Sequence, residues 1–188
     1  MKEKPVRMIR LKDFKTISHA LSTYDEFSLM INHFIEAIIR AFNVKGCSLL
    51  LLDEAENQLF HVRSQGVSED YLKKGAIFVD EKYSSFVTGE PVFVEDLQND
   101  PRIQYPEAAA KEGFVSMLTF PIKCRNAIVG MIRIYHTKSW ALHEEDIDSF
   151  CVLAEHLGLV LENNGLKNFL ETIKAAVDSL PGRMLKRP

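Results

Sequence analysis

Arg133 is the residue best placed to do specific chemistry in this chain, because of its neighbours. In the run Ile128 to Thr137, Ile128, Ile132 and Ile134 alternate with Val129, Met131, Arg133 and Tyr135. Alternate residues of a strand share a face, so the guanidinium emerges between a methionine and a tyrosine. A cation in apolar surroundings needs an anion. A ligand carboxylate or phosphate would match its planar fork; an internal acid such as Asp96, or escape of the long side chain to solvent, would also serve. Asp96, Asn99, Asp100 and Arg102 read either as the polar rim of a pocket or as an Asp-Pro turn formed for local reasons. Ser84 and Ser85 could offer hydroxyls, and Phe78, Tyr83, Phe86, Tyr105, Phe114 and Met117 could wall a small-molecule site or fill core. The candidate ligand-binding set is Phe78, Tyr83, Ser84, Asp96, Arg102, Tyr105, Phe114, Ser116, Met117, Arg133 and Tyr135.

Other chemistries find less support. Cys47, Cys124 and Cys151 are an odd number without Cys-x-x-Cys spacing, against a disulfide framework or a structural zinc site. Of the six histidines, only His61 and His136 fall on predicted strands, and no pair has metal-binding spacing. His136 alternates with Ile132 and Ile134, which turns it away from the Arg133 face. No Walker loop, nucleophile elbow or paired-carboxylate pattern is present.

These residues depend on a recognisable set of elements. Phe27, Met30, Ile31, Phe34, Ile35, Ile38, Ile39 and Phe42 make one helical stripe within Tyr24 to Phe42, with Thr23 and Glu26 as a capping box and Asn43 to Gly46 as its end. A shorter helix, about Leu11 to Leu21, precedes it. Cys47 to Leu52 is apolar on both faces, as in a central strand, and pairs with Gln58 to Gln65. Short elements follow: helices near Glu69 to Lys74 and Glu81 to Thr88, strands at Ala76 to Val79 and Pro91 to Val94, and a helix over Tyr105 to Glu112. Phe114 to Lys123 and Ile128 to Thr137 form a last hairpin, with Pro121 forcing a bulge or an edge. From Glu144, Ile147, Phe150, Ala154, Leu157 and Leu161 mark a heptad seam; Asn163-Asn164-Gly165 predicts a break before a separate C-terminal helix.

With 188 residues, 46% of them apolar, the chain suits one domain. The sequence divides into a basic N-terminal extension with a short helix (1–16), the main domain (17–164), and a C-terminal helix with a basic tail (165–188). Residues 1–15 carry six Lys/Arg against two acids, so the acidic excess lies in the middle and disfavours nucleic-acid binding by the core. No segment reads as a signal peptide or membrane span, which implies a cytoplasmic protein.

The order of these pieces resembles the GAF family of small-ligand sensor domains: a long amphipathic helix, Cys47 to Asp53, Ser84 to Pro91, Asp96 to Arg102, Gly113 to Pro121, Ile128 to Ile134 with Gly130, then Trp140 to Glu145 leading into the last helix. The resemblance implies an α+β, PAS-related fold. Its six-stranded antiparallel sheet would carry N- and C-terminal helices on one face, which often pair two protomers, and a loop-rich ligand pocket on the other. The Asn-Lys pair and Phe of the cyclic-nucleotide subset are not matched by Tyr135-His136-Thr137-Lys138 and Trp140. No cysteine has the adjacent histidine of bilin binders, so no covalent bilin is expected; haem and cyclic nucleotide are disfavoured as cofactors.

The resulting expectation is a regulatory homodimer that couples a small molecule, an anion among the candidates, to helix packing and passes a signal to a downstream protein partner. The alternatives are a ligand-free dimeric interaction scaffold and a thiol-dependent reductase of free methionine sulfoxide, which would need converging cysteines.

Overall fold

Strict alternation of side chains along three apolar strands lets one sheet be buried on both faces. The structure, a computed structural model, describes residues 5, 7–24, 26–79 and 85–178. Its strands are β1 (Gly46–Asp53), β2 (Gln58–Gln65), β3 (Ile77–Phe78), β4 (Val92–Val94), β5 (Ser116–Cys124) and β6 (Ala127–His136). They form one sheet in the order β3-β2-β1-β6-β5-β4, every pairing antiparallel. The α+β architecture is the expected one.

The main core lies on one face. Cys47 and Leu49 of β1, Leu118, Phe120 and Ile122 of β5, and Ile132 and Ile134 of β6 meet three helices there. These are α1 (Leu11–Thr23), α2 (Phe27–Phe42) and α6 (Glu144–Asp178). Phe150 of α6 touches both partners, with ring centroids 4.2 Å from Phe120 and 5.7 Å from Phe42. The opposite face is covered by α3 (Glu69–Leu72), α4 (Ser85–Thr88), α5 (Pro106–Glu112) and their loops.

Two sequence expectations need correction. Thr23 does not cap α2: it ends α1, where its hydroxyl donates to the His19 carbonyl at 2.7 Å. The N-cap of α2 is Glu26, without a side-chain hydrogen bond. At the other end Asn43 adopts the expected left-handed conformation, φ 49°. The break at Asn163 to Gly165 does not form, and α6 is continuous. Two Asn and one Gly cost a helix only about 2 kcal/mol, and Gly165 has no neighbour within 4 Å to exploit a kink. The register shift in β5 falls between Ile122 and Lys123, one residue past Pro121.

Two close contacts lock α6 in place. A Cβ on Gly158 would lie 1.9 Å from the Lys123 carbonyl oxygen, so only glycine lets the helix pass the β5–β6 hairpin. Asp146, which is fully buried, accepts from the amides of Met8 and Ile9 at 2.7 and 2.8 Å, fastening the segment before α1 to the first turn of α6. Gly158→Ala is expected to lower stability by ~1–3 kcal/mol through overpacking, and Asp146→Ala by ~2–4 kcal/mol through two orphaned amides. Urea unfolding midpoints equal to wild type would contradict both.

Candidate functional site

The outward row of the central strands changes character at Arg133. Register places Arg133 opposite Ser48 on β1 and Thr119 on β5, and Ser48 opposite Ser64 on β2. A polar row thus crosses the sheet between two apolar ones: Leu50 and Met131 on one side, Met117 and Tyr135 on the other. Small hydroxyl neighbours leave space above the guanidinium. That space is a cavity of about 70 Å³ between the sheet and its cover, against about 10–15 Å³ for a single buried water.

Apolar walls come from Leu59, Ile77, Val94, Leu97 and Met131, and cations from Lys74, Arg102 and Arg133. No carboxylate is among the described lining residues. Arg102 is already committed: its Nε and Nη2 donate to Asp100 at 2.8 and 2.5 Å and Nη2 to the Phe93 carbonyl at 3.3 Å. That pairing holds the Asp100 carboxyl below its usual range. Arg133 has no acid partner among the described residues; its Nε is buried without a hydrogen bond, and the Tyr135 hydroxyl is its polar neighbour on the same strand.

The mouth is closed by backbone clamps. Tyr105 donates its hydroxyl to the Ala76 carbonyl at 2.6 Å, and Gln104 donates its amide to the Phe78 carbonyl at 2.8 Å. Gly75, at φ 135°, permits this: a Cβ there would stand 2.5 Å from the Tyr105 oxygen. Behind the cavity, Phe114 and Tyr135 stack at 4.5 Å with Tyr71 edge-on to both. Lys74 Nζ lies 3.9 Å above the Tyr71 ring and donates to the Tyr71 carbonyl at 3.1 Å.

Of the sequence candidates, Phe78, Arg102, Tyr105, Met117 and Arg133 line the cavity. Phe114 and Tyr135 lie in the aromatic layer behind it. Ser116 is buried and donates to the Lys138 carbonyl at 2.8 Å. Asp96 faces solvent and accepts from Asn99 at 2.7 Å and from the Gln98 amide at 3.0 Å, so its carboxylate closes a turn and does not reach Arg133. Tyr83 and Ser84 fall outside the described residues. Ser85 lines the cavity, its hydroxyl donating to the Thr119 carbonyl at 3.4 Å. Lys74 and Thr119 were missed. Thr119 could have been found by carrying the alternation of β5 back from Pro121; Lys74 sits after a polar helix whose spacing gives no direction.

Positive charge dominates the site's electrostatics. Burial, then the charges of Lys74 and Arg133, lowers the His61 pKa to about 4. Burial, then Arg133, lowers that of Lys74 to about 8. The cysteines stand apart: none lines the cavity, and burial pushes the Cys47 thiol up and that of Cys151 up to about 11. Because His61 is held neutral in the fold but titrates near 6.5 when unfolded, its contribution is complete above that pH and is lost as pH falls toward about 4. The loss is at most ~1.4 kcal/mol per pH unit, less what solvent screens. His61→Gln should flatten the pH 4–6.5 limb of the Tm profile; an unaltered limb would dismiss this role.

The GAF domain model matches residues 28–161. Among solved structures, the chain is similar to the GAF domain of a phosphoenolpyruvate-protein phosphotransferase from Coxiella burnetii, with TM-score 0.74, 18% identity, and coverage of 84% of this chain and 95% of that one. The corresponding Acinetobacter domain gives TM-score 0.70, 17% identity, and coverage of 84% and 96%. A free methionine-R-sulfoxide reductase from Neisseria meningitidis, in complex with its substrate, gives TM-score 0.66, 15% identity, and coverage of 86% and 96%. No curated protein matches the sequence significantly. The family match spans every strand of the sheet and both layers around it, and the chain therefore belongs to the GAF domain family, a family of small-ligand sensor and regulatory domains.

Proposed function

We propose that this protein is a ligand-responsive regulatory domain: a small molecule occupies the cavity above Arg133, orders the cover between Val67 and Phe114, and changes how α2 and α6 pack at an interface between two copies. The observation that carries this reading is the cavity itself, which has apolar walls and a guanidinium with no acid beside it among the described lining residues. A signal passes only if the two packings bind the ligand with different affinity. The strands offer a route, since β6 presents Arg133 to the cavity and Ile132 and Ile134 to the helices.

The scaffold reading draws on a separate feature, the exposed stripe Leu166, Phe169, Leu170 and Ile173 on the last turns of α6. Such a stripe suits pairing with another helix, and it serves a sensor dimer equally well. Catalysis of the reductase kind has less support: a similar fold carries that activity, but none of the three cysteines borders the cavity.

A thermal-shift screen of amino acids, carboxylates, nucleotides and amides should yield a stabilising compound. Amide exchange with that compound bound should slow in the cover and also in α2 and α6. Protection confined to the cover would remove the coupling, and a screen without hits, together with native mass spectra free of a retained molecule, would leave only the scaffold. Phe169→Glu combined with Leu170→Glu should lower the mass seen by light scattering if the helix end forms the interface.

A further inference from the structure

The polar row across the sheet is built for one kind of guest. Arg133 stands between Ser48 and Thr119, whose short side chains cannot cover it. Its Nε is buried without a hydrogen bond; on the same face lie Nε2 of His61 and the hydroxyl of Tyr135, which neighbours Arg133, Ser48 and Tyr71. Their neighbours are accounted for: Ser64 donates to Ser48 at 2.8 Å, and His61 Nδ1 lies 3.1 Å from the Ser64 hydroxyl. Lys74 brings a second cation to the same cavity, and among the described lining residues there is no acid to answer either.

The shape narrows the class further. Lys74 and Arg133 bring the cations that no described acid answers, while Leu59, Ile77, Val94 and Met131 supply only hydrocarbon. A phosphate needs donors for three oxygens, whereas a carboxylate presents two in one plane, matching a single guanidinium edge. About 70 Å³ suits a guest of a few heavy atoms.

We propose that the row Ser48–Arg133–Thr119, with Lys74 beside it, seats the carboxylate of a short aliphatic monocarboxylic acid, whose hydrocarbon chain lies against Leu59, Ile77 and Met131. This rests on the ligand-binding reading above and names the class of ligand. Arg133 supplies a bidentate contact and Lys74 a second charge, and a second charged group laid against Leu59, Ile77 and Met131 would be desolvated by hydrocarbon.

The test uses the full chain and four probes: butyrate, butyramide, butylamine and inorganic phosphate. Butyrate should raise Tm and bind by calorimetry; butyramide and butylamine should not. Arg133→Met should weaken butyrate at least tenfold, Arg133→Lys should recover part of that loss, and Lys74→Met should weaken it by a smaller factor. Equal binding of butyrate and butyramide, or undiminished binding by Arg133→Met, overturns the proposal; phosphate binding in place of butyrate overturns the carboxylate class. A neutral compound that binds where butyrate fails, or silence from all four probes, would sink this inference while leaving the sensor reading intact; that reading falls only with the wider screen and the native mass spectra.

A ligand-free measurement guards against self-occupancy. With no counter-ion among the described residues, Arg133→Met should raise the Tm of the ligand-free protein, since a half-buried charge without an acid partner is replaced by hydrocarbon. A lower Tm that disappears in the Asp80→Asn, Glu81→Gln background would mean that the chain's own carboxylates fill the row, and the proposal would fall.

Discussion

The two-residue period of β1, β5 and β6 is the constraint on which the molecule rests. Every side chain on these strands faces either the helices or the cover, and both faces are buried, so one register serves two environments. Leu118, Phe120, Ile132 and Ile134 build the larger core; their alternates Met117, Thr119, Met131 and Arg133 form the floor of the cavity. A slip of one residue would exchange the sets and drive Arg133 into the helical core, where no anion awaits it. The large core on one side thus enforces the placement of a cation on the other.

The two layers also differ in how they hold together. The helical side is close-packed around Phe34, Phe42, Phe120 and Phe150, each almost wholly buried, and α6 is pinned by Gly158 against the hairpin and by Asp146 against the N-terminal segment. The cover is assembled from short elements held by single hydrogen bonds to backbone carbonyls, such as those from Tyr105 and Gln104. Elements with few buried contacts open at lower free energy than the core, so the cover is where a guest could enter without disturbing the helices. The Phe114–Tyr135–Tyr71 layer marks the limit of that softness, since it is anchored on β6 itself.

Much of the fold was legible residue by residue. The helical stripe Phe27 to Phe42, the doubly apolar Cys47 to Leu52 and the final hairpin carry periodicities strong enough to declare element and face together, and Gln58 to Gln65 emerged with its ends in place. Arg133 could be placed beside Met131 and Tyr135 for the same reason. Capping was less legible: Thr23 and Glu26 have the spacing of a capping box, yet the preceding helix extends to claim Thr23. Asn163 to Gly165 looked like a stop because single residues were weighed without the cooperativity of a long helix already nucleated.

The site divides along a similar line. Sequence alone determined that a guanidinium shares a strand face with apolar residues, because alternation is local and independent of what packs above. Only the tertiary structure decided which acids reach it. Asp96 had the right charge but spends it on its own turn, and Asp100 is taken by Arg102. Lys74, Ser48 and Thr119, remote from one another in the chain, converge on Arg133 through strand register and the path of the cover. Pairing between distant segments carries no signature in either segment, and so the emptiness above Arg133 could be seen only once the chain was folded.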